Sequence, residues 1–349
     1  MREFVIVIPD LYLKPQGSGA VPASALAAGR FAGLERAGRF GERRALGAGW
    51  RAWLARLLGR EELAEVAPAR IAAAVLAAPQ ARPGRDVTCW IATPLHLTAG
   101  LARVHLDHRG VLALSGAELA TLAAAFAATF GASGHALTPL PSGEFLLQTP
   151  GVVPLHTVEP ARCIGSDLAQ ALPQGAAAAP LRRLVAEIEM WLHAQPFNEA
   201  RQQRREPPVT TLWPWGAEGR PLPPAVTTPR GKLPLAYGRD AWLGGLWQFE
   251  GEACRALPAR LDEVLAEAQA PRAVLVAQLA AQLQVSPHSS AAHALAQLDE
   301  RLIAPAVAAL RHGRLARATL ILNDVRVSLG RASRFKLWRR QRAGLASFA

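Results

Sequence analysis

The most constraining stretch of this chain is its apolar start, Phe4-Val-Ile-Val-Ile8, closed by Pro9-Asp10. The run is β-branched and does not alternate, so it offers no face to water. A strand of this kind is buried on both sides, as in the sheet of an α/β protein. Ala273–Val276 and Ala318–Leu322 have the same character near the other end of the chain. Amphipathic helical patterns lie between these runs. The fold class expected is therefore α/β, with a mainly parallel sheet flanked by helices, in which Phe4–Ile8 and Ala318–Leu322 share one sheet.

The middle of the chain has a different period. Gln80-Ala-Arg-Pro-Gly84 forms a boundary. After it, Val87–Ile91, Ala102–Leu106 and Val111–Leu114 read as strands, with a turn at Asp107–Gly110. Ser115-Gly-Ala-Glu118 is a capping box that opens a helix through about Phe130. Short strands follow near His135–Thr138 and Glu144–Gln148. Pro173–Pro180 is a second linker. The domains expected are an α/β core from 1–84 and 181–349, and an inserted α+β lobe from 85–180.

Within the core, Trp50, Trp53, Leu54, Leu57 and Leu58 recur at helical spacing, with Gly59 as a stop. Leu181, Leu184, Val185, Ile188, Trp191 and Leu192 form the apolar stripe of a helix ended by Pro196. Val209–Leu212 is a short strand running into Trp213-Pro-Trp-Gly216. Leu298–Arg311 is a helix stopped by Gly313. With 349 residues, half of them apolar, and nine Trp and ten Phe, a sizeable core can form.

The formal net charge is +12, carried almost wholly by arginine, since there are only three lysines. Residues 311–349 hold nine Arg and one Lys against the single acid Asp324, so most of the excess sits there. No apolar run reaches the roughly 18 residues of a membrane helix, so no membrane partner is expected. The three cysteines, Cys89, Cys163 and Cys254, are isolated from one another. This excludes a disulfide framework or a thiolate metal knuckle and suits a reducing cytoplasm.

The most distinctive block begins Glu187-Ile-Glu-Met-Trp-Leu-His-Ala-Gln-Pro-Phe-Asn198-Glu-Ala-Arg201 and continues with Thr211-Leu-Trp-Pro-Trp-Gly216. Together with Ile6-Val-Ile-Pro-Asp10, Pro94-Leu-His-Leu97 and Phe335-Lys-Leu-Trp-Arg-Arg340, it resembles the bacterial regulatory protein RpfE family. That family is a distant relative of the archaeal-type cofactor-independent phosphoglycerate mutases of the alkaline phosphatase superfamily. The resemblance implies an α/β core and a two-cation site of Asp and His ligands with a Ser or Thr nucleophile, suited to phosphoryl transfer. Asp10, at the end of the first strand, occupies the place of a first metal ligand.

The rest of that set is not identifiable in the sequence. The only adjacent Asp-His pair is Asp107-His108, in the expected turn, where a solvated loop is the reading preferred to a metal site. Ser18 is a weak nucleophile candidate. The leading expectation is a phosphoglycerate-mutase-like protein of the RpfE type, non-catalytic and without a cofactor, with a regulatory or anionic-ligand-binding role. Asn198, Arg201, Trp213, Trp215 and Gly216 are the candidate ligand-binding residues. They are expected to converge at a cleft, with Arg201 as a planar fork for a carboxylate or phosphate and the tryptophans as walls. Their plainer reading is packing, with Arg201 paired to Glu187 or Glu189. One alternative is an active phosphomutase or phosphatase with Mn²⁺ or Zn²⁺ as cofactor. Another is nucleic-acid binding through the arginine-rich tail, where Phe335 and Trp338 interleave with the basic residues. The sequence leaves the oligomeric state open.

Overall fold

The computed structural model describes residues 2–11, 31–76, 87–99, 104–151, 155–165, 168–223, 231–267, 272–285 and 289–330. Ser18, Phe335 and Trp338 lie outside the described residues. The chain divides into two compact units. The first comprises residues 1–60, 229–238 and 253–349, and the second 61–228 and 239–252.

In the first unit the apolar start forms β1 (Glu3–Ile8). After it come α1 (Ala32–Phe40), β2 (Glu42–Ala45) and α2 (Gly49–Leu57). The remainder of the unit holds β9 (Leu235–Tyr237), α9 (Leu261–Ala266), β10 (Arg272–Val276), α10 (Leu279–Val285), α11 (Ala291–Leu298), α12 (Ala304–Arg311), β11 (Arg317–Leu322) and β12 (Val325–Gly330). These strands make one six-stranded sheet in the order β2-β12-β11-β1-β10-β9. β1 lies between β10 and β11 and is parallel to both, with Phe4 opposite Ala273 and Ala318. β12 and β2 extend the sheet antiparallel at one edge.

Strand sidedness follows from this placement. Phe4, Ile6 and Ile8 join one apolar cluster with Leu320, Leu322, Val327 and the inner faces of α1, α11 and α12. Val5 and Val7 are also buried, on the opposite face. A central parallel strand buried on both faces has no need to alternate, and that accounts for the sequence of β1. The expected helix over Leu298–Arg311 is present, as a π-helical turn at Asp299–Ile303 running into α12, and it continues back into α11.

The second unit contains α3 (Pro68–Ala72), β3 (Val87–Leu95), β4 (Thr98–Ala99), β5 (Val104–His105), α4 (Gly116–Phe130), β6 (Ala136–Pro139), β7 (Phe145–Pro150), α5 (Pro160–Cys163), α6 (Ala179–His193), α7 (Pro196–Gln203), β8 (Thr211–Trp215) and α8 (Ala241–Phe249). Its main sheet is antiparallel in the order β6-β7-β3-β8. The capping box is present: the Ser115 side chain accepts from the Glu118 N–H, and Glu118 reaches back to the Ser115 N–H. Val111–Leu114 makes no strand; Val111 forms only an isolated bridge with Leu95.

The unit boundaries differ from those expected from the linkers. The linker pattern places α6, α7 and β8 in the core, but β8 pairs antiparallel with β3 from Ile91–Trp215 to Leu95–Thr211. Leu181, Leu184 and Ile188 of α6 pack in the same apolar cluster as Trp90, Phe126 and Phe145. A Pro-rich linker marks a change of direction, whereas strand pairing decides which sheet a segment joins. Among the described residues no helix is long and apolar enough to cross a membrane.

Candidate functional site

Asp10 follows β1 and is buried. Its Oδ1 accepts the Leu279 N–H and its Oδ2 the Ala280 N–H, each at 2.8 Å. The carboxylate thus caps the first turn of α10, where unpaired N–H groups and the helix dipole favour negative charge. Next to it, at the carboxyl end of β11, Asn323 takes a left-handed conformation (φ 54°). Its Nδ2 donates to the Leu11 carbonyl. Among the described residues no group of three or more His, Cys, Asp or Glu side chains is placed to hold a metal ion. The residue expected as a first metal ligand therefore has a helix-capping geometry.

Asp107 is exposed, as a solvated turn requires, but the turn is a single 3₁₀ turn rather than a hairpin. Asp107 Oδ1 accepts from the Arg109 and Gly110 N–H groups, closing a single 3₁₀ turn, and His108 is buried.

Asn198 and Arg201 stand on α7, a helix of their own. Pro196 does not merely end α6; it is the first residue of α7, where its missing N–H costs nothing. Both polar side chains face inward and are buried. Asn198 Nδ2 donates to the Leu192 and Val209 carbonyls, and its Oδ1 accepts the Val209 N–H, all at 2.8 Å. The amide therefore ties the end of α6 to the segment leading into β8.

Arg201 Nε donates to the Pro207 carbonyl at 2.9 Å and Nη1 to Glu118 Oε1 at 2.6 Å. The partner is Glu118, the capping residue of α4, rather than Glu187 or Glu189. Arg204 and Glu206 complete the network, with Arg204 Nη2 within 2.8 Å of both Glu118 and Glu206. Burial of the Glu118 carboxyl opposes its ionisation. The bonds from Ser115 and the Arg201 guanidinium outweigh that and hold it below the ordinary carboxylate value. An arginine so paired has its fork turned onto protein acceptors.

The tryptophans belong to a different layer. Alternation along β8 puts Leu212 into the cluster with Ile188 and Leu192. Trp213 and Trp215 go into a cluster with Cys89, Ile91, Leu146 and Cys163. Trp213 Nε1 donates to the Val158 carbonyl at 2.8 Å and Trp215 Nε1 to Thr93 Oγ1 at 2.9 Å. Thr93 in turn donates to Glu144 at 2.6 Å. Trp213 also lines a shallow depression with Thr157, Pro173 and Arg182.

Gly216, at φ 77°, accepts the Ala69 N–H through its carbonyl; a Cβ here would come within 3.1 Å of Pro68. The block therefore gathers around one strand, but with the Asn–Arg pair bound to the Leu212 layer and the tryptophans on the other face. Glu118 could be found in the sequence as a cap, yet nothing there signals its contact with Arg201, 83 positions away. Neither Thr93 as the acceptor for Trp215 nor Glu144 as the acceptor for Thr93 has a signal in the sequence.

No protein-family model and no curated protein matches the sequence. Among solved structures the chain is similar to a cofactor-independent phosphoglycerate mutase from Thermoplasma acidophilum DSM 1728, at 14% identity and a TM-score of 0.38, covering 94% of this chain and 89% of that one. It is also similar to the PH0037 protein from Pyrococcus horikoshii, at 12% identity and a TM-score of 0.44, covering 94% and 87%.

Proposed function

We propose that this chain is a phosphoglycerate-mutase-like protein of the RpfE type that carries out no phosphoryl transfer and serves a regulatory or anionic-ligand-binding role. The observation that supports this most directly is the geometry of Asp10. A two-cation phosphoryl-transfer centre needs carboxylates whose oxygens converge on metal. Here both oxygens of the carboxylate at the end of β1 accept backbone N–H groups of α10. The excess of arginine, net +12 over the chain, favours an anionic ligand.

Two measurements test the reading. Purified protein assayed with Mn²⁺ and Zn²⁺ is expected to show no interconversion of phosphoglycerates and no stoichiometric metal. Two equivalents of metal that disappear in Asp10→Asn, a variant that keeps one capping acceptor, would promote an enzyme instead. Thermal unfolding in the presence of phosphate, sulfate or a phosphorylated small acid is expected to shift upward and saturate, as for any ligand that binds only the folded state. A flat response to all three anions removes the ligand-binding role.

A further inference from the structure

The edge of the six-stranded sheet carries arginines in an arrangement that folding alone does not favour. β2 is the outermost strand, and its register with β12 sets Arg44 directly opposite Arg326. Like charges opposite each other on adjacent strands destabilise a ladder. Cross-strand partners share a face, so Arg44, Arg326, Glu42 and Ser328 all point away from the side where Val327 enters the core.

On that same face, the Arg326 guanidinium lies 5.6 Å from the centre of the half-buried Trp53 ring of α2. Arg56 is three positions further along α2, on the face of Trp53, and is exposed. Arg51 is stacked 4.5 Å over Trp50 on the same helix. Glu42 pairs with Arg44 at 2.6 Å, but both side chains are more than half exposed, so water screens that pair. Asp324 stands at the turn into β12. Of the arginines of residues 32–60, Arg43 lies on the Val327 face and Arg60 is buried against backbone carbonyls, so Arg44, Arg51 and Arg56 are the ones this surface draws on. The sequence that follows β12, residues 331–349, adds six basic residues and no acid.

We infer that the β2–β12 edge and the outer face of α2 form a nucleic-acid-binding surface, in which Arg44, Arg56 and Arg326 contact phosphates without reading sequence. The inference stands apart from the regulatory reading above and does not depend on it. Guanidinium forks match phosphate oxygens in geometry and charge. An incoming phosphate also neutralises the positive charge that Arg44 and Arg326 place side by side, which an apolar or cationic partner would not. A membrane is the poorer occupant, since among the described residues Leu57 is the only large apolar side chain of this face that is exposed. Insertion at a lipid surface needs a wider apolar stripe.

The test is fluorescence anisotropy of the full-length protein with a labelled 20-base-pair duplex and a single strand of equal length, titrated from low to moderate salt. The expected result is binding that weakens linearly on a log–log salt plot. The double variant Arg44→Ser/Arg56→Ser is expected to bind at least tenfold more weakly at low salt. Its salt slope should be shallower by about 1.8 on duplex, the value for two lost phosphate contacts. Arg326→Lys, which keeps the charge above Trp53, should retain most of the affinity. The inference is overturned if neither nucleic acid binds at low salt. It is equally overturned if the double variant, with an unchanged melting temperature, binds like the parent while Arg339→Ser/Arg340→Ser abolishes binding. Tight binding to anionic phosphatidylserine vesicles with none to nucleic acid also overturns it.

Discussion

Asn198 donates twice and accepts once, all to backbone of Leu192 and Val209, and Arg201 beside it binds the Pro207 carbonyl and the Glu118 carboxylate. Asn198→Ala removes three bonds and strips the Val209 carbonyl and N–H of theirs, while the Leu192 carbonyl keeps the Gln195 N–H. With about 1 kcal/mol for each bond and an added penalty for orphaned groups, a loss of about 3–5 kcal/mol is expected. Arg201→Ala leaves Glu118 facing one exposed arginine, and a loss of about 2–3 kcal/mol is expected. Urea unfolding followed by tryptophan fluorescence checks both; an Arg201→Ala midpoint equal to the parent's would show that the network is not structural.

Asp299 offers a pH signature. It is buried in the π-helical turn, where its carboxyl accepts the Gly33 and Leu34 N–H groups that open α1. Burial pushes its pKa up to about 6 from an ordinary 3.8, against those two bonds and with help from the charge of Glu35. The folded form therefore holds a proton that the unfolded chain has released between about pH 4 and 6. The stability from this group is complete below pH 4 and falls as pH rises to 6. The change is on the order of 3 kcal/mol. Urea midpoints measured from pH 4 to 7 should show the fall, and Asp299→Asn should flatten it.

At the scale of elements, close approach explains which glycines matter. A Cβ on Gly33 would lie 2.5 Å from the backbone nitrogen of Ala304, because the π-helical turn brings the start of α12 against the first turn of α1. Backbone cannot yield as a side-chain tip can. Gly33→Ala is expected to cost about 1–3 kcal/mol, the range for overpacking a close contact. Gly47, in the loop before α2, has open space around its Cβ position. Gly47→Ala is expected to be neutral within about 0.5 kcal/mol, as for a surface change. Equal thermal shifts in the two variants would contradict this account. Elements also redirect the meaning of a motif: Pro196 ends one helix and starts the next, so that Asn198 and Arg201 gain a rigid platform instead of a loose connection.

Across the whole molecule, each unit has its own sheet and its own apolar clusters. Local stability within each sheet should follow strand position. Amides of β1 lie between two paired neighbours, as do those of β3. Native-state hydrogen exchange is expected to be slowest in β1 and β3 and faster in the edge strands β2 and β6, whose outer groups are open to water. Exchange as slow in β2 as in β1 would show that a further partner covers that edge.

Local patterns in the sequence determined several features alone. The short, β-branched, non-alternating run Phe4–Ile8, closed by Pro9, reads as a strand covered on both faces, and Ser115 with Glu118 forms a cap whose bonds span three residues. The stripe Leu181–Leu192 has the 3.6-residue period of an amphipathic helix and forms one. These signals lie within one element, so the physics that decides them is local. The tertiary structure decided which sheet each strand joined, because the pairing of β8 with β3 depends on residues more than a hundred positions apart. It also decided what the distinctive side chains do. Asp10 meets α10, Arg201 meets Glu118, and Trp215 meets Thr93 only after the chain has folded back. Residue type alone does not distinguish a buried aspartate that caps a helix from one that holds a metal. The choice is made by which groups the fold brings within 3 Å of its oxygens.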